Sequence, residues 1–187
     1  MLNSFFDKFI FTSTLKYTHN NFYLLNIPFV IAPVDSLIGI AGIQETDFQK
    51  KIYLAVKKST FESLMKEFGE NFGVEKNKEL DLVNTFFTAS GWGNIQNIDV
   101  QQESKKAIVV LENSPFAVAL KGKTQIQADT FLRGSLAGIF SKIFSEDVDC
   151  VEVECAALGG ERCKFIIKPK TEFDFSNKLV QSQLSHE

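Results

Sequence analysis

The sequence predicts an α+β fold, an antiparallel sheet with helices packed on it, and two observations carry the prediction. Ile95–Val100 with Ala107–Leu111, and Val148–Cys155 with Arg162–Ile167, are pairs of apolar or alternating runs joined by polar or glycine-containing connections, the pattern of hairpins. Between them, Thr124–Phe144 sets Ala128, Leu132, Leu136, Ile139, Phe140 and Ile143 on one side of a helix. With 187 residues, 44% apolar and 23% charged, the chain can bury a globular core. No repeat or linker divides it, so residues 1–170 read as one domain and residues 171–187 as a polar C-terminal tail.

Phe11–Tyr17 and Phe22–Ile27 are β-prone runs around an Asn-containing turn, which predicts an N-terminal hairpin with His19 as a turn residue. Pro33 suits the first turn of a helix through Ile43. Phe48–Val56 and Phe61–Phe72 follow at helical spacing, the latter with Phe61, Leu64, Met65 and Phe68 on one face. Leu80–Phe87 reads as a further helix closed by Gly91. Phe116–Leu120, after Pro115, is expected to extend the sheet. Gly134 and Gly138 lower the helix propensity of Thr124–Phe144 but let another backbone come close, and they suggest a homodimer contact or close packing within the chain.

A formal charge of −3 argues against direct nucleic-acid binding, which needs an excess of Lys and Arg. Phe22–Ile43 has no Lys or Arg and could span a bilayer by length. Asn26, Pro28, Pro33 and Asp35 interrupt it, so a buried strand-then-helix segment is expected and no membrane span. Met1–Phe11 carries Asp7 and lacks a secretory signal, which points to a cytoplasmic protein whose Cys150, Cys155 and Cys163 are free thiols or metal ligands. The 19 phenylalanines favour a roomy core or an apolar pocket.

Cys155 and Cys163 flank the turn of the last hairpin. Facing residues of an antiparallel pair lie about 4.5–5.5 Å apart, so two thiolates there can converge on one zinc. Glu152 and Asp129 are the acidic candidates for the remaining positions. Glu152 is three residues from Cys155, an odd offset that sends the two to opposite faces of a regular strand, so a bulge or a strand end must intervene. Cys150 and Glu154 share the parity of Glu152 and are substitute ligands in another register. On the residues alone, two small cysteines in a hairpin are more often core residues than a metal site.

At these positions the chain resembles the 4-vinyl reductase domain family, found in archaeal proteins of unknown ligand and in sensor domains of phenol- and xylene-responsive regulators. In that family a helix opening Cys-x-x-x-x-Gly precedes Glu-x-x-Cys and, seven residues on, a second Cys with an apolar residue shortly beyond. Gly134, Glu152, Cys155, Cys163 and Phe165 match, Asp129 stands at the first family cysteine, and Gly91-Trp92-Gly93 and Glu112-Asn113-Ser114-Pro115 resemble the middle section. The resemblance implies a fold similar to vesicle-tethering TRAPP subunits, a structural zinc held by Asp129, Glu152, Cys155 and Cys163, and a hydrocarbon-like or aromatic ligand. A small-molecule-binding or sensing module follows as the expected function, with an apolar ligand and a homodimer as partners. The alternatives are an accessory protein in tetrapyrrole vinyl reduction and a TRAPP-like assembly adaptor. The sequence holds no Gly-rich nucleotide loop and only two histidines, so an enzyme is the less favoured reading.

Overall fold

The computed structural model describes residues 15–24, 27–64, 80, 83–84, 87–88 and 90–185. The chain opens with a three-stranded antiparallel meander, β1 (Leu15–Thr18), β2 (Asn21–Leu24) and β3 (Ile27–Phe29). His19 and Asn20 take φ of 50° and 62°, the left-handed pair that a two-residue hairpin turn requires. The third strand was not expected, and the first part of the expected Phe11–Tyr17 run lies outside the described residues. α1 (Val34–Ala41) starts behind Pro33 and ends at Gly42, two residues short of the expected end. Strand and helix follow in the expected order, but burial does not: within α1 Ala41 is buried, while Val30 and Ile31 are 83% and 67% exposed.

α2 (Thr46–Ser59) runs into a π-helical turn, Thr60–Leu64. Phe61 there is exposed, and the rest of the helix expected over Phe61–Phe72 lies outside the described residues. Residues 80, 83–84 and 87–88 are helical, with Val83 and Phe87 buried; Gly91 at φ 75° and a bond from Trp92 N to Phe87 O (3.0 Å) close the turn, as expected.

The main sheet is antiparallel with strand order β4-β5-β7-β6, where β4 is Asn94–Gln101, β5 Lys106–Glu112, β6 Asp149–Glu154 and β7 Cys163–Lys168. Both expected hairpins are present. Phe116–Leu120, however, is helix α3 (Pro115–Leu120) and not a strand. Its start signal outweighs the β-prone composition: Ser114 Oγ accepts from Ala117 N at 3.2 Å, and Pro115 fills the first helical position, where a missing N–H costs nothing.

α4 (Thr130–Phe144) begins six residues later than expected. Thr124 Oγ1 both accepts from Ile126 N and donates to Ile126 O, a local turn that competes with helix. Leu132, Leu136, Ile139 and Phe140 are buried against the sheet face formed by Ala107, Val109, Leu111, Phe165 and Ile167. The other side of α4 meets α2. A Cβ on Gly134 would lie 2.8 Å from Tyr53 O, and one on Gly138 2.6 Å from Lys57 O, so the glycines serve helix packing inside the chain.

Residues 171–187 are not a loose polar tail. Phe173 is buried, and α5 (Lys178–Leu184), capped by Asn177, buries Val180, Gln183 and Leu184 against α2 and β6. This helix helps seal the outer edge of β6. Cys150 N donates to Tyr53 Oη (3.0 Å) and Cys150 O accepts from Arg133 Nε (3.2 Å). Glu152 N and O bond the amide of Gln183 at 2.9 and 3.0 Å. Tyr53 Oη also donates to Asp149 Oδ1 at 2.7 Å. Tyr53→Phe strips Cys150 N of its acceptor in a buried place and is expected to cost about 2 kcal/mol. Urea unfolding checks this, and a loss under about 0.5 kcal/mol would show that water takes over the role.

Candidate metal centre

α4, β6 and β7 each place an acidic or thiol side chain at one point under the sheet. Cys163 opens β7 opposite Leu111 of β5, on the buried face. Glu152 faces Phe165 on the same side of the sheet. The parity objection to Glu152 and Cys155 is met in both ways: the pairing of β6 with β7 shifts register between Glu152 and Glu154, and β6 ends before Cys155. Asp129 is the residue before α4. It occupies the cap position yet makes no cap hydrogen bond, because its side chain is turned to the cluster. The ligand atoms of Asp129, Glu152, Cys155 and Cys163 all lie within 4.8 Å of one another, and all four residues are buried.

The surroundings orient the four groups without satisfying them. Asp129 Oδ1 accepts from Ser114 Oγ, Asp129 N donates to Glu152 Oε2 at 3.2 Å, and Ala128 N approaches Cys155 Sγ at 3.5 Å. Asp129 Oδ2 and Glu152 Oε1 are buried with no hydrogen-bond partner. Burial raises the Asp129 carboxyl to about 6 and pushes Glu152 well above its ordinary value, with the charge of Asp129 adding to the latter. The two thiols share a proton: a hydrogen bond from Cys163 lowers Cys155 to about 5 and raises Cys163 as the donor. Two orphaned carboxylate oxygens beside a thiol–thiolate pair form a donor set suited to a divalent cation. Tetrahedral zinc needs ligand atoms about 3.3–3.8 Å apart, a small contraction of the present spread.

The substitute ligands stay outside. Cys150 lies in the apolar core, its thiol pushed up by burial, and Glu154 faces Arg162 at 3.9 Å. Ser114 and Gln183 are the supporting residues that the sequence reading missed. Ser114 was visible as a Ser-Pro helix start, whereas nothing local marks Gln183, which acts across 31 residues.

Among the described residues two clefts open elsewhere, and none of the four cluster residues lines either. One of about 790 Å³ lies between α2 and the end of α4, rimmed by Lys57, Lys58, Lys142, Glu146 and Asp147. The other, of about 170 Å³, is walled by Leu37, Ser90, Trp92 and Phe116. Trp92 sits between Phe87 and Phe116, with ring centroids at 6.3 and 5.8 Å, and Phe116 stacks on Phe131 at 5.5 Å.

A helix-backed antiparallel sheet with this cluster defines a 4-vinyl reductase domain. The chain carries one: the model of that domain family matches residues 108–169, a span that holds all four cluster residues. Over 134 residues, 68% of this chain and 78% of the relative, the chain is 28% identical to an uncharacterized protein of Methanocaldococcus jannaschii. The phenol-responsive sensory domain of the transcription activator PoxR, crystallised with phenol, shares the fold at a TM-score of 0.74 and 12% identity, with 100% of both chains covered. Lower scores, 0.46 each, relate the chain to a vinyl-4-reductase family protein from Methanocaldococcus jannaschii and to trafficking protein particle complex subunit 3 from Naegleria fowleri, bound covalently to palmitic acid. The first is 15% identical, covering 75% of this chain and 96% of that one, and the second 16%, covering 72% and 87%. Among the described residues no helix is long and apolar enough to cross a membrane.

Proposed function

We propose that the chain is a small-molecule sensing module whose 4-vinyl reductase domain is tied together by one zinc ion. The observation that carries the metal reading is the convergence of four buried acid and thiol groups from three separated elements, two of their oxygens unpaired. Asp129, Glu152, Cys155 and Cys163 would hold the ion. Four protein ligands leave no position for water or substrate, so the zinc would act structurally, linking the start of α4 to the β6–β7 turn. The sensing reading is supported by the family match and by the fold shared with a domain that responds to phenol. Elemental analysis of chelator-free protein tests the metal, with one zinc per chain expected; none would return the cysteines to the core.

Proton competition gives a pH dependence whose sign follows from the carboxyls. A carboxyl raised in the folded state stabilises the metal-free protein below its unfolded value near 3.8, and that contribution is lost as pH rises through about 6. Zinc needs the same oxygens deprotonated, so the rise in melting temperature on adding zinc should be large at pH 7.5 and much smaller at pH 5. Equal rises at both would mean that the carboxylates are not ligands.

The expected homodimer needs a new surface, since Gly134 and Gly138 face α2. Among the described residues, the unpaired edge of β4 is one such surface. A second copy bound there would show as a dimer in sedimentation at micromolar concentration, and a monomer would exclude it.

A further inference from the structure

The smaller cleft carries an unanswered polar group. Ser90 Oγ is buried and has no hydrogen-bond partner, within walls otherwise formed by Leu37, Trp92 and Phe116, with Ile31 and Val34 at the lip. A buried hydroxyl without a partner costs about 1–3 kcal/mol, and native folds keep few of them. The rings around it are ordered by their own contacts, Trp92 tilted at 55° to Phe116 and Phe116 nearly parallel to Phe131 at 17°. An apolar cavity of about 150 Å³ suffices for benzene, and this cleft offers about 170 Å³. The larger cleft is rimmed by charged groups and suits a neutral ring less well.

We propose that this cleft is the ligand site, and that it takes a small monocyclic aromatic bearing one hydrogen-bonding group, with the ring against Trp92 and Phe116 and the polar group on the Ser90 hydroxyl. The inference rests on the small-molecule reading and adds the place and the polar contact. A ring seated there touches the element that holds the metal centre, because Phe116 belongs to α3, whose capping residue Ser114 donates to Asp129.

Trp92 is the one tryptophan of the chain, so its fluorescence reports on this cleft directly. The full chain is titrated with para-cresol and with toluene, by fluorescence and by calorimetry together. Para-cresol is expected to change the emission saturably and to bind about tenfold more tightly than toluene. Ser90→Ala should bring para-cresol down to the toluene level with the melting temperature unchanged or higher. Calorimetric binding with silent Trp92 emission, or with unchanged affinity in Ser90→Ala, overturns this site and leaves the sensing reading standing. If neither compound binds by calorimetry, both fall.

Discussion

Cys163→Ser is expected to release the zinc and lower the melting temperature by roughly 10 °C, the equivalent of about 3–5 kcal/mol for a chain of this size. Serine is a poor zinc ligand, and its loss leaves Asp129 and Glu152 buried together with no cation to balance them. Cys155→Ser should behave alike. Cys150→Ser separates the metal reading from a simple packing effect. Cys150 is buried in the apolar core, so its serine variant should lose about 1–2 kcal/mol through an unpaired hydroxyl while keeping a full equivalent of zinc. Zinc measured on the three purified variants decides it: retention in Cys163→Ser, or loss in Cys150→Ser, removes the four-ligand assignment.

Gly138→Ala should be nearly as damaging for a different reason. The new Cβ would fall 2.6 Å from Lys57 O, 2.9 Å from Thr60 Cβ and 3.0 Å from Phe61 N, mostly backbone atoms that cannot turn aside. Driving α2 and α4 apart costs about 3 kcal/mol, and the better helix propensity of alanine returns about 1, for a net loss near 2 kcal/mol. Gly39→Ala is the control. That glycine lies in α1 with nothing within 4 Å of an added Cβ, so the same change should stabilise by up to about 1 kcal/mol. A neutral Gly138→Ala would mean that the two helices separate freely.

The sheet was legible because its strands keep a two-residue burial period: Ala107, Val109 and Leu111, then Cys163, Phe165 and Ile167, are buried in alternation. The four cluster residues came from the spacing of the family motif, and strand parity alone argued against one of them. What restored Glu152 was a one-residue irregularity that no periodicity announces. The α3 error had the opposite cause. Phe116–Leu120 has strand composition, but Ser114 and Pro115 fix its first turn, and the local cap decided the outcome. The start of α4 was placed too early because apolar spacing continues into residues 124–129 while Thr124 holds the backbone in a turn. α5 could not be read at all. Gln183 is a polar residue with a buried backbone-reading task, and only the tertiary structure gives it one.

The sealed border of β6 bears on how copies of this chain can grow into larger objects. Tyr53, Arg133 and Gln183 occupy the hydrogen-bonding groups that an incoming strand would use at Cys150 and Glu152. In the described chain the sheet is therefore one-sided, with β4 as its open border. Two such sheets joined border to border would leave no free strand at either end. Polymerisation through this sheet would terminate at a pair, so the arrangement guards against fibre formation while permitting a closed twofold partner.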